Sequence, residues 1–473
     1  LIRNLFSLRI HIKSKEGVEQ PLTARKLDKC MKLVEEDKAI TSPAAKVPYY
    51  PLVVKSASGS VVKDVDGNSY IDLLSSAGAI NTGHCHPKVV NAIKDQSEKL
   101  ILYTHAYMYH EPIIELTKEL IKISPGDYRK RVFYGLCGSD ANDGAIKLAR
   151  TATGRPKVIS FMRAYHGSTY GALSLSAVSL PMRRHLGPLL PDIHQVPYPD
   201  TYRTPLPGMT EDEVADFTIK QIENAFESYI PADEVGAFII EPIQGDAGLV
   251  VPPVKFMKDL KKLCEKHGML FFSEEVQQGF GRTGKWFGID NFDVVPDGII
   301  MGKAMASGLP LSGMVARAEL MESWEAPAHL FTAAGNPVCS AASLATINVL
   351  RDENILSHVT ETGNYAMDRF RKMQEKYDII GDVRGIGLSV AIDLVTDRET
   401  KERHREAAAK ICYRCWEKGL LLSFFSGSVL RFQPPLVITR GQVEEAIGKI
   451  DESIEEFYRG EIPDSVLETV KGW

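Results

Sequence analysis

No uninterrupted apolar run approaches the roughly 20 residues needed to span a bilayer, and the strongest, such as Ala237-Phe238-Ile239-Ile240, has the length of a strand. A membrane-spanning reading is therefore excluded. Positive charge is not in excess either. The 56 Lys plus Arg stand against 61 Asp plus Glu, and a net charge of -5 offers no broad cationic field to a phosphate backbone. Nucleic acid is not an expected partner. Cysteine is sparse: seven scattered residues in a long chain call for no disulfide staples and suit a reducing cytoplasm. Cys412 and Cys415 form a C-x-x-C in a helical-looking stretch without a second Cys or His pair, so packing thiols are expected there. His84-Cys85-His86 has as little support as a ligand set, and no metal is expected. Internal repeats and low-complexity tracts are also missing.

What is present is ample core material. The 473 residues exceed what one hydrophobic core usually organises, and 44% apolar with 25% charged residues is an ordinary globular balance. Residues 1–21 carry Arg3, Arg9, Lys13 and Lys15 with no acid before Glu16, a weak likeness to a targeting leader; an upstream extension is the expectation. Residues 22–86 read as a segment that packs with the smaller domain, with a hairpin turn at Lys63 to Asn68 before Tyr70-Ile71-Asp72-Leu73. Over 87–345, helical patterns alternate with short apolar runs at Val158 to Phe161, Ala237 to Glu241, Met269 to Ser273 and Gly298 to Met301. That alternation predicts an α/β domain with a largely parallel, helix-covered sheet, and Lys255 to His267 predicts a crossover helix closed by Gly268. Residues 346–473 read as a smaller α+β domain with strands at Gly387 to Leu394 and Val429 to Phe432.

Three constellations carry chemistry. Gly138-Ser139-Asp140-Ala141-Asn142-Asp143 starts a helix whose free amides and positive dipole end suit a phosphate; taken singly it is equally an ordinary N-cap. Gly298-Ile299-Ile300-Met301-Gly302-Lys303 delivers a lysine to a strand's C-terminal end, where open α/β sheets build their sites. Desolvation there would lower its pKa as imine formation requires, although a lone lysine is usually a solvated surface charge. Met269 to Gln277 brings Glu274, Glu275 and Gln277 to the same edge: a carboxylate to hold a pyridine nitrogen protonated and an amide for a phenolic oxygen, or simply exposed acids at a strand end. Gly279-Phe280-Gly281-Arg282-Thr283-Gly284 is a literal G-x-G-x-x-G, but no clear helix follows it, so a dinucleotide site is rejected and an active-site loop expected.

These motifs, with Tyr165-His166-Gly167, Glu241-Pro242-Ile243-Gln244-Gly245 and Thr332 to Pro337, resemble in order the class III pyridoxal-phosphate aminotransferase family over roughly residues 50 to 450. The resemblance implies a fold-type I architecture, pyridoxal 5'-phosphate as cofactor, an amino acid as small-molecule substrate, and a homodimer or dimer of dimers with sites at the subunit interface. It further implies that Lys303 is the Schiff-base lysine, Gly138 and Ser139 the phosphate loop, Tyr165 the ring-stacking aromatic, and Thr332 a threonine reaching the neighbouring subunit's phosphate. Glu274 stands where the family usually has aspartate as the ring-nitrogen acid, and Gln277 takes the phenolic oxygen.

Within the family, Asp246, Ala77-Gly78-Ala79-Ile80-Asn81, Pro197 to Arg203, Ala326 to Thr332 and Leu430 to Pro435 are similar to the isoleucine 2-epimerase branch of amino-acid racemases. A racemase benefits from a second acid–base group facing the lysine across a planar carbanion, and Asp246 is the candidate, with a structural carboxylate as the bland alternative. As a base it would need a raised pKa. Arg431 is expected either to bind a substrate carboxylate or to form an ion pair; Ala79, Leu73 and Leu74 could line an apolar pocket. The expected reaction is inversion at Cα of apolar amino acids, branched-chain ones among the candidates, with class III transamination to a keto acid as the alternative.

Overall fold

The computed structural model describes residues 25–470 and Gly472. The expected extension at 1–21 lies outside the described residues. A seven-stranded sheet forms the centre, in spatial order Lys130–Gly135, Ser312–Arg317, Gly298–Met301, Leu270–Glu274, Val235–Ile240, Lys157–Phe161 and Ile193–Val196. All run parallel except Ser312–Arg317, which is antiparallel to both neighbours. Helices cover both faces, so Val235–Ile240 is buried at every position and its sequence is a continuous apolar run rather than an alternating one. The Val254–His267 helix crosses between two parallel strands and ends at Gly268, whose φ of 64° closes it in the left-handed region.

Two four-stranded sheets flank this core. In one, Val54–Ser58, Val61–Asp64 and Ser69–Asp72 form a meander that Leu420–Leu421 joins in parallel, so the N-terminal segment and the C-terminal part share a sheet. In the other, Ile380–Ile386 and Ser389–Leu394 form a hairpin beside Val429–Phe432 and Ser423–Phe425. The sequence reading began the second strand of that hairpin at Gly387. The structure instead puts Gly387 at φ 60° in the turn and gives Ile380–Ile386 to an additional strand.

The helix expected after Cys137 runs Gly138–Thr153 and stops at Gly154, with φ 67°. Asp140 folds its carboxylate back to accept from the Leu136 and Cys137 amides at 2.7 and 3.1 Å, fixing the turn between strand and helix. The chain therefore enters the helix directly from the C-terminal end of Lys130–Gly135. The other central strands that bear chemistry end on the same edge.

Candidate active site

That edge encloses a cavity of about 410 Å³. Lys303, Asp246, Gly138, Ser139, Tyr165, Glu274, Gln277 and Ala79 all line it, joined by Glu241 and His166. All but Ala79, which caps the short Ser75–Gly78 helix of the N-terminal segment, are delivered by the end of a central strand or the stretch beyond it, the position at which open α/β sheets bind ligands. Its apolar wall comes from Leu136, Val276, Leu309 and Leu311.

Lys303 follows Gly298–Met301 through Gly302, and its φ is 41°, a left-handed conformation costly for a lysine. Burial lowers its pKa; the carboxylates of Asp246 and Glu274 act in the opposite direction without overcoming it. The amine is thus poised towards its neutral, nucleophilic form. Close packing fixes the strand end: a Cβ on Gly302 would stand 3.1 Å from the Gly138 amide nitrogen, and one on Gly138 would stand 2.7 Å from Val276.

Carboxylates crowd the floor. Glu274 is raised well above the ordinary range, first by burial and then by the like charge of Glu241, and Asn142 Nδ2 donates to its Oε1 at 3.4 Å. Burial lifts Glu241 to about 7 even though its oxygens accept from the Tyr165 and Gly245 amides at 2.9 and 2.8 Å. Glu275 points away, accepting from Ser273 Oγ and the Gly288 and Ile289 amides, and is a structural carboxylate. Ser139 Oγ accepts from the Ser168 amide at 3.1 Å, and a Cβ on Gly167 would overlap that oxygen.

Asp246 departs from expectation. Burial acts to raise its pKa, but Arg431 and Lys303 outweigh burial and hold the carboxyl below the usual range. A raised value was the sequence requirement for a base; a buried guanidinium, invisible in local spacing, reverses it. Arg431 Nη2 donates to Asp246 Oδ1 at 2.6 Å and to the Gly245 carbonyl at 3.0 Å, which decides between ion pair and free carboxylate clamp for this chain. Its Nε and Nη1 have no protein partner, and its guanidinium lies over the Phe425 ring.

Leu73 belongs to the core, away from the cavity. Thr332 is exposed and outside this chain's cavity. The G-x-G-x-x-G segment also differs from the expected active-site loop: Gly281 and Gly284 pack towards Leu356, Leu436 and Thr360, and buried Arg282 donates to Leu388, Pro434, Ser75 and Asn81. The sequence reading assigned no separate role to His166, which is buried with both ring nitrogens unpartnered, nor to Arg163 and Arg384, which donate to the Ala247 and Gly248 carbonyls far away in the chain. Among the described residues there is no cluster of His, Cys, Asp and Glu suited to a metal, and no helix is long and apolar enough to cross a membrane.

A family model described as aminotransferase class-III matches residues 42–454. The chain belongs to the class-III aminotransferase family. Among class-III relatives, it is 49% identical to isoleucine 2-epimerase of Lentilactobacillus buchneri, over 92% of this chain and 97% of that protein. It is 44% identical to leucine/methionine racemase of Thermococcus litoralis, over 93% and 99%. The ω-transaminase of Pseudomonas jessenii solved in complex with PMP superposes with a TM-score of 0.84 at 27% identity, covering 90% of this chain and 98% of that one.

This class-III chain has the fold-type I architecture and takes pyridoxal 5'-phosphate. Its residues fit that group: a desolvated lysine, a helix start that carries the Ser139 hydroxyl, and a buried carboxyl without a protein cation bonded to it all face one cavity.

Proposed function

We propose that the chain is a racemase or epimerase that inverts Cα of apolar, branched amino acids, with Lys303 and Asp246 as its two proton-handling groups. The observation that carries the reading is that both side chains line one cavity, at the ends of different strands, with Asp246 held ionised by Arg431. The racemase and epimerase names of the two relatives support it, as does the apolar wall of Ala79, Leu136, Leu309 and Leu311.

The bound cofactor supplies an electron sink that makes the Cα proton of an attached amino acid removable. Gly138 and Ser139 would hold its phosphate, Tyr165 would cover its ring, Glu274 would serve the ring nitrogen, and Gln277 would serve the phenolic oxygen. The Lys303 amine, its pKa lowered by burial, takes or returns a proton at Cα from its side. The Asp246 carboxylate accepts a proton from the other side, and because Arg431 favours its ionised form, it readily gives that proton back. Inversion needs one group to take and the other to give, in either direction. The alternative is class III transamination to a keto acid, favoured by the likeness to the ω-transaminase, in which Lys303 serves alone.

The subunit we infer is one half of a homodimer. Ile101, Leu102, Tyr103, Tyr107, Met108 and Tyr109 form an exposed apolar stretch beyond what a monomer usually leaves to water. A cytoplasmic setting suits seven free cysteines.

The test is proton NMR in deuterated water with L-isoleucine and no keto acid. Catalytic appearance of the Cα epimer supports inversion. Cα exchange without epimer, followed by amino transfer once a keto acid is added, overturns it in favour of transamination.

A further inference from the structure

The Gly245–Gly248 turn that carries Asp246 is held by arginines from three places. Arg431 donates to the Gly245 carbonyl at 3.0 Å, Arg163 Nη2 to the Ala247 carbonyl at 2.6 Å, and Arg384 to the Gly248 carbonyl through Nη2 and Nε at 2.6 and 3.0 Å. A guanidinium has donors and no acceptor, so carbonyl oxygens are the groups it can grip, in a fixed fork geometry. The turn cannot relax from them cheaply. Leu249 sits at φ 52°, and a Cβ on Gly248, at φ 107°, would stand 2.8 Å from Val429 and 3.1 Å from Arg384 Nη2.

The arginines are themselves anchored. Arg384 donates to Asp382 at 2.7 Å and Asp393 at 3.1 Å, while Arg203 takes Asp393 with two bonds at 2.5 and 3.1 Å. Arg163, at φ 65°, donates to Ser426 Oγ at 2.8 Å and stands 3.5 Å from Asp200. Arg163 follows the Lys157–Phe161 strand of the central sheet, whereas Arg384 lies in Ile380–Ile386 of the C-terminal sheet. The turn is thus fixed between two sheets. Lys303 follows a different strand, Gly298–Met301.

We propose that Arg163 and Arg384 are positioning residues that set the reach of Asp246 into the cavity, and so control inversion separately from the proton transfers of Lys303. This rests on the two-base reading above. Neither arginine touches the reacting atoms; each acts through the backbone of the turn. Misplacement of a reacting group by about 1 Å costs on the order of 100-fold in rate, so loosening the turn should be felt at Asp246 and little at Lys303.

The experiment compares holoenzymes of wild type, Arg384→Gln, Arg163→Gln, Arg384→Lys and Asp246→Asn. Each is given L-isoleucine in deuterated water, and two rates are read: epimer formation, and deuterium entry at Cα with retention. The expected result is a fall of about 10- to 100-fold in the ratio of inversion to retention for both Gln variants. Arg384→Lys, which keeps the charge and one donor, should recover part of it. A merely structural role would lower both rates together with the cofactor-bound fraction and leave the ratio unmoved. The inference is overturned if Asp246→Asn shifts the ratio and neither Gln variant does, or if both Gln variants fail to fold. An unshifted ratio in Asp246→Asn sinks the two-base reading instead, and the inference with it.

Discussion

Arg431 Nη2 and Asp246 Oδ1 are 2.6 Å apart, and both residues are buried, with Arg431 1% and Asp246 8% exposed. Each therefore compensates the buried charge of the other. Removing one partner of a buried pair costs about 3–5 kcal/mol, whereas removing both can be nearly neutral. Arg431→Met should lower stability to urea by that order, and adding Asp246→Asn should restore much of it. A double-mutant cycle measures the coupling; additive losses would mean the pair is not a unit.

Lys303→Ala should abolish the covalent spectroscopic signature of the cofactor and reduce turnover by about 100- to 10,000-fold, the range for a lost acid–base group. Residual cofactor affinity should persist through the phosphate loop. An undiminished rate in this variant would remove Lys303 from the mechanism.

Glu274→Gln keeps the volume and hydrogen-bonding reach but cannot carry a negative charge opposite the ring nitrogen. Cofactor binding should change little while turnover falls by about 100-fold, within the range of one lost electrostatic contact. Glu274→Asp should retain activity if a small shift of ring or backbone absorbs one methylene. Equal losses in affinity and turnover for Glu274→Gln would point to a structural role.

Gly167→Ala places a methyl against Ser139 Oγ at a backbone φ of 134°. It should weaken cofactor affinity by about tenfold or more, since 1.4 kcal/mol suffices for that factor. Equilibrium titration of the apoenzyme with cofactor reads it directly, and unchanged affinity would detach Ser139 from the phosphate site.

Burial holds His166 down to about 3 from an ordinary 6.5. Between those values the unfolded imidazole binds a proton and the folded one does not. Stability must therefore fall as pH is lowered through that window, by roughly a few kcal/mol from this group. Glu241 and Glu275, raised to about 7 by burial, contribute the opposite slope between 4.5 and 7. The difference between wild type and His166→Phe isolates the histidine: their stability gap should tilt against the wild type with acidification. A gap independent of pH would show that His166 does not resist protonation in the fold.

Much of this was legible locally. The helix start at Gly138, the cap at Gly268 and the strand Val429–Phe432 are written in turn residues and apolar runs, which act over a few positions. Ordered motifs likewise placed Lys303, Glu274, Gln277 and Tyr165 around one cavity. What escaped depends on distance along the chain. Nothing near Arg384 signals a bond to Gly248, 136 residues away, and nothing near Asp246 signals Arg431, 185 residues away. The antiparallel strand Ser312–Arg317 was missed because only Met314-Val315-Ala316 of it is apolar, and its reversed direction leaves no local mark in the sequence.

A Cβ on Gly302 would press on the Gly138 backbone, and one on Gly138 would overlap Val276, so neither position takes a side chain without displacing a neighbour. That part of the site is therefore closed to mutational exploration, while the cavity-lining Ala79, Leu136 and Leu309 carry side chains that can grow or shrink. A lineage descending from this chain could change its taste in amino acids from those positions, keeping its cofactor grip unchanged while it did so.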